Sequence, residues 1–172
     1  MVIPFTLRGD LATPPIFTGR RRRILRNFFT RQRSKSVKER VYISYSHRTD
    51  RGFKKFLETW AEGSDFIFIF SNYTSGIDPD SREGRTIKAA ITKKMRKADY
   101  LLVLVGESTH EDKWVSWEIE RAQHPGINLK IAAAKTSQST PALPELPATG
   151  TSWSIAFTKH SILTALTDAG SK

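Results

Sequence analysis

Two short runs gather the residue types that can do chemistry. The first is Tyr45-Ser46-His47-Arg48-Thr49-Asp50, which places hydroxyls, an imidazole and a carboxylate directly after an apolar run. Where a strand turns into a helix, backbone N–H groups and the helix N-terminus favour phosphate. Asp50 stands where a side chain caps that helix. The bland alternative is a turn with a helix cap and no ligand. The second run is GESTHEDKWVSWEIE, Gly106 to Glu120. On a helix of ~100° per residue, Trp114 and Glu118 fall one turn apart on one face, with Trp117 and Arg121 flanking them. A carboxylate beside an aromatic wall suits general-base work or stabilisation of positive charge. It can also accept hydrogen bonds from two ribose hydroxyls at once. The rival reading is a solvated glutamate beside two packing tryptophans.

Other chemistries are excluded by composition. The chain has no cysteine, so disulfides, iron–sulfur clusters, cysteine-ligated zinc and a cysteine nucleophile are ruled out. A reducing, cytoplasmic setting is the simplest expectation. The four histidines, His47, His110, His124 and His160, are scattered without HExxH spacing, and no metal is expected. Neither GxGxxG nor GxxxxGK[ST] occurs, and Ser46 and Ser108 lack the nucleophile elbow of a hydrolase. No apolar run reaches the ~18–20 residues that span a bilayer.

Both runs need elements to position them. Val41–Ser46 reads as a strand, Asp50–Glu62 as a helix with Phe53, Phe56, Leu57 and Trp60 at helical spacing, and Asp65–Phe70 as a strand apolar enough to be buried on both faces. Ser71–Asp80 is rich in turn formers, and Ser81 can cap a helix running to about Lys97. Tyr100–Val105 is the clearest buried strand, ended by Gly106. A helix follows over Lys113–Gln123, with Val115, Ile119 and Ala122 as its apolar stripe. A weaker strand covers Asn128–Ala134, a long Pro/Ser/Thr-rich loop Thr136–Gly150, a short edge strand Ser152–Ala156 and a closing helix Thr158–Asp168. Strands alternating with helices of this length predict a parallel sheet covered on both faces, an α/β fold of about five strands in flavodoxin-like order. Ligands of such sheets bind beyond the strand carboxyl ends, near the switch in strand order. Both chemistry-bearing runs fall at strand carboxyl ends.

The charge is uneven. The chain has 28 Lys and Arg against 17 Asp and Glu, a net charge of +11. Residues 1–40 hold 11 basic and 2 acidic residues, a net of +9, and residues 41–172 hold 17 and 15, a net of +2. The expected organisation is a basic, partly disordered arm over residues 1–37 and one domain over 38–172. Within the arm, Arg20–Arg33 could form a short helix with Ile24, Leu25, Phe28 and Phe29 among arginines. Such a piece could contact an anionic membrane or nucleic acid. The arm is also Arg-rich and acid-poor, as transit peptides are. The body is nearly balanced, so the high overall pI is poor evidence of a nucleic-acid binder.

The run VYISYSHRTD resembles the first strand and loop of TIR domains. YLLVLVGESTHEDKWVSWEIERA resembles the third strand and following helix of the TIR-like family, in the prokaryotic branch that includes the TIR proteins of Thoeris anti-phage defence. The resemblance covers roughly Lys38 to Asp168; the loop SNYTSGIDPDSREGR and the arm lie outside the usual pattern. WVSWE matches the Trp-x-x-x-Glu motif of NAD-consuming TIR domains. That match implies Glu118 as the catalytic carboxylate, Trp114 as pocket wall, and Tyr45, Ser46, His47 and Ser108 as substrate contacts. It further implies NAD as substrate with no separate cofactor, cleavage of the nicotinamide–ribose bond, and hydrolysis or cyclisation of the ADP-ribose product. Self-association and a separate effector that answers a nucleotide signal belong to the same expectation. Two other readings stay open: a non-catalytic TIR-type interaction module, and an enzyme like the nucleoside deoxyribosyltransferases, which share the sheet topology and use a carboxylate nucleophile.

Overall fold

Short apolar runs set the strands, and amphipathic runs set the helices between them. The computed structural model describes residues 38–70 and 76–171. In chain order the elements are β1 Glu39–Ser44, α1 Arg51–Ala61, β2 Phe66–Phe70, α2 Arg82–Met95, β3 Tyr100–Val105, α3 Lys113–Gln123, β4 Lys130–Lys135, β5 Ser152–Ser154 and α4 Lys159–Gly170. A single 3-10 turn, Thr109–Glu111, precedes α3. The Arg-rich arm and residues 71–75 of the loop after β2 lie outside the described residues.

The strands form one parallel sheet in the order β2-β1-β3-β4-β5, the flavodoxin-like order expected from the sequence. In register, Ile43 of β1 lies opposite Phe70 of β2 and Leu102 of β3. Strand side chains alternate between faces, so the sheet carries two cores. Tyr42, Leu101, Val103 and Ala133 pack with Ile91 and Met95 of α2 and Val115 and Ile119 of α3. Val41, Ile43, Leu102 and Leu104 pack with Leu57 of α1 and Ile162 and Leu166 of α4. The switch in strand order lies between β1 and β3, the strands that lead into the two chemistry-bearing runs.

Four local expectations need correction. β1 ends at Ser44 rather than Ser46, because the chain curls there and the Asp50 N–H donates to Ser46 O at 2.8 Å. β2 is an edge strand and not buried on both faces: Phe66 alone is buried, and Ile67 is 43% exposed. Its apolar composition cannot reveal which strand the topology leaves outermost. β4 starts at Lys130 rather than Asn128, since Asn128 takes a positive φ of 51° and the Leu129 N–H still bonds Ala122 O at 3.0 Å. The side chain of Asp50 does not cap α1. The other helices use their caps as expected of such residues: Ser81 accepts from Gly84 N at 2.9 Å, Asp112 from Trp114 N at 3.0 Å and Thr158 from Ser161 N at 3.2 Å. Among the described residues no helix is long and apolar enough to cross a membrane.

Candidate active site

The site begins with the face on which α3 meets β1. Tyr42 and Ser44 stand two apart on β1 and so point to the same side of the sheet. The third residue of this group, Glu118, comes down from α3, where it is 0% exposed. The Tyr42 hydroxyl donates to Glu118 Oε1 at 2.6 Å. Glu118 Oε2 and Ser44 Oγ are both buried without a hydrogen-bond partner. The serine hydroxyl lies near enough to favour the carboxylate's charged form, yet outside hydrogen-bonding geometry. Burial dominates and pushes the Glu118 carboxyl up to about 8. Ser44, Tyr42 and Lys94 work in the opposite direction, while the Asp112 carboxylate adds to the rise. An uncharged acid with one orphaned oxygen is a costly thing to bury. Such groups gather at functional sites.

One turn before Glu118, Trp114 is 5% exposed and donates its indole N–H to Ile77 O at 2.7 Å. Trp117 packs edge-on against it, ring centres 6.0 Å apart. Trp114 forms part of a cleft of about 700 Å³ over the carboxyl ends of β1 and β3. Ser46, His47, Arg48 and Arg51 line it together with Gly76 to Pro79 and Glu111, Asp112 and Lys113. The cleft is large enough for a nucleotide-sized ligand. Its rim carries two exposed ion pairs, Arg48–Glu111 at 2.7 Å and Lys113–Asp78 at 3.0 Å. His47 stacks on Tyr45 with ring centres 4.4 Å apart. Burial, reinforced by the Arg51 guanidinium, holds its imidazole below the usual histidine range, favouring the neutral ring.

The sequence-derived residues therefore divide. Ser46, His47 and Trp114 line the cleft. Glu118 lies buried one turn along α3 from the Trp114 wall, with no atom on the surface. Tyr45 is 2% exposed and sits behind His47. Ser108 donates to Thr49 Oγ1 at 3.2 Å, tying the loop after β3 to the loop after β1. The reading of Glu118 as a solvated surface group is overturned by its burial. Spacing did not single out Tyr42 or Ser44. Alternation along β1 carries the signal for both, because it sets Tyr42 and Ser44 on one face. Arg48 and Lys113 stand inside the two chemistry-bearing runs, yet their spacing assigns no role to them, to Arg51 or to Asp78.

Asp50 does something other than cap. It is 3% exposed, and its carboxylate accepts from Thr109 Oγ1 at 3.3 Å and from Thr136 Oγ1 at 3.4 Å. Thr109 Oγ1 in turn accepts from Gly106 N at 2.7 Å. The loops that follow β1, β3 and β4 are thus joined through one buried carboxylate, which burial pushes above the usual aspartate range.

A family model for the TIR-like domain of the Thoeris protein ThsB matches residues 42–139. That span runs from Tyr42 through both chemistry-bearing runs and β4. The chain belongs to the ThsB TIR-like domain family. Within the TIR-like domain, Glu118 and Trp114 both fall in the matched span, as do Tyr45, Ser46, His47 and Ser108. No curated protein matches the sequence. Among solved structures, the TIR-like domain is similar to a 2-deoxyribosyltransferase from Bacillus psychrosaccharolyticus. The two share 14% identity at a TM-score of 0.45, over 60% of this chain and 77% of that one.

Proposed function

We propose that this TIR-like domain consumes NAD, cleaving the bond between nicotinamide and ribose, with Glu118 as the catalytic carboxylate. The observation that carries the reading is the Glu118 carboxylate itself. It is buried at the β1–β3 switch, tied by one oxygen to Tyr42 and unpartnered at the other, one helical turn from the Trp114 wall. Breaking a glycosidic bond builds positive charge on the ribose, and a carboxylate nearby stabilises it. Once deprotonated, Glu118 Oε2 has free lone pairs to accept ribose hydroxyls. Trp114 walls the cleft beside that position, and Ser46 and His47 contact the nucleotide from the loop after β1. Tyr45 acts by backing the His47 ring, and Ser108 by fixing the two loops against each other.

Membership of the ThsB family supports a role in anti-phage defence. There the ADP-ribose product, linear or cyclised, would pass as a signal to a separate effector. Self-association of the domain belongs to the same proposal. The burial of Glu118 favours a second reading, an interaction module whose pocket does no chemistry. Incubating the chain with NAD and, separately, with deoxynucleosides distinguishes the readings across a range of protein concentrations. Nicotinamide released from NAD supports the proposal. Exchange of base between a deoxynucleoside and an added free base, with no nicotinamide released from NAD, points to a deoxyribosyltransferase-like reaction. Neither product from an assembled, folded sample favours the module.

A further inference from the structure

The carboxylate at the centre of the site lacks an ion partner, and the surrounding fold brings one cation towards it. Lys94 lies in the last turn of α2, the helix that shares a face of the sheet with α3. It is half-buried, and its ammonium donates to Phe70 O at 2.8 Å, at the carboxyl end of β2. Phe70 pairs with Ile43, and the next residue of β1 is Ser44. Neighbouring strands lie about 4.8 Å apart. Lys94 is therefore anchored at the end of β2, the strand beside the one that carries Ser44, whose hydroxyl is buried without a partner as Glu118 Oε2 is. An ammonium has three donors, and the Phe70 carbonyl takes one. Lys94 forms no ion pair among the described residues, whereas the neighbouring Lys88 pairs with Asp80 at 3.0 Å.

We propose that Lys94 is a positioning residue for Glu118, whose ammonium supplies a counter-charge that makes the buried carboxyl easier to ionise. The groups around the pair are few. Glu118 faces the Tyr42 and Ser44 hydroxyls from β1, the Tyr45 phenol just beyond that strand, Lys94 from α2 and the Asp112 carboxylate from the start of its own helix. Lys94 faces Glu118 from α3 and Lys54 from α1, and it is held below its ordinary range mainly by burial. Lys54 itself rides 5.2 Å over the Phe70 ring and is engaged with Glu58 at 3.6 Å. Glu118 and Lys94 favour each other's charged forms, while Asp112 and Lys54 oppose them. The competing role for Lys94 is structural: a lysine in the last turn of a helix complements its dipole and here also holds the end of β2.

Lys94→Gln separates the two roles, because glutamine keeps a donor for Phe70 O and loses the charge. The test is a pH titration of the Glu118 side chain by carbon NMR on protein labelled at the glutamate carboxyl, with Glu118→Gln assigning the signal. Lys94→Gln and Lys94→Met are expected to raise the midpoint, and Lys94→Arg to restore it. An unchanged midpoint in folded Lys94→Gln overturns the proposal. The catalytic half rests on the NAD reading. If that holds, the acidic limb of kcat/KM for nicotinamide release moves up with the midpoint, KM changes little, and Lys94→Arg rescues both. A wild type that releases no nicotinamide contradicts the NAD reading, and the titration still decides the case of Lys94.

Discussion

At the scale of single residues, the site depends on how Glu118 is held. The Tyr42 hydroxyl is the partner of its Oε1, at 2.6 Å. Tyr42→Phe removes that donor and leaves the ring, so both carboxylate oxygens lack partners. The expected result is a loss of about 1–3 kcal/mol in denaturant unfolding, together with a further rise in the Glu118 titration midpoint. Unchanged stability and an unchanged midpoint would show that the phenol is not the support it is taken to be. Trp114→Phe keeps the wall and deletes the indole N–H that bonds Ile77 O. It should cost about 1 kcal/mol and raise KM for NAD more than it lowers kcat, measured by nicotinamide release. Glu118 and Trp114 were legible in the sequence because i and i+4 on a helix share a face. Their environment was not. Whether a helical glutamate is solvated or sealed depends on what the sheet presents beneath it, and Tyr42 lies 76 positions away.

At the scale of elements, strand-end loops set the cleft, and their joining can be tested at Gly106. A Cβ built there would fall 2.7 Å from Asp50 Oδ1 and 2.9 Å from Thr136 Oγ1. Gly106→Ala must therefore push the Asp50 carboxylate and its threonine partners apart. A destabilisation of about 1–3 kcal/mol is expected by thermal or denaturant unfolding. A neutral effect would mean the three loops are not locked together through Asp50. The period of the apolar residues made most elements readable: β3 over Tyr100–Val105 and α3 over Lys113–Gln123 match their expected bounds. Asp50 was misread because cap positions are recognised locally, while its partners Thr109 and Thr136 come from distant loops. β2 was misread for a related reason. FIFIF suits an interior strand, yet the 2-1-3-4-5 order leaves it at the edge, and a strand's place in a sheet is not written in its own residues.

At the scale of the whole molecule, Glu118 should leave a mark on stability. Its carboxyl is raised in the folded state to about 8, against about 4.5 ordinarily. Between those values the folded chain holds a proton that the unfolded chain has released. The unfolded state then binds fewer protons, so stability falls as pH rises through that window and levels off above about 8. Glu118→Gln removes this dependence. Its melting temperature should gain on wild type steadily from pH 5 to pH 8; parallel curves would contradict the burial of an uncharged Glu118. The same variant bears on function. The most direct test of the central claim is nicotinamide release from NAD by wild type and by Glu118→Gln, over a range of protein concentrations, with melting curves showing both chains folded. The account predicts release by wild type and none by the variant. Release at the wild-type rate from folded Glu118→Gln would contradict it.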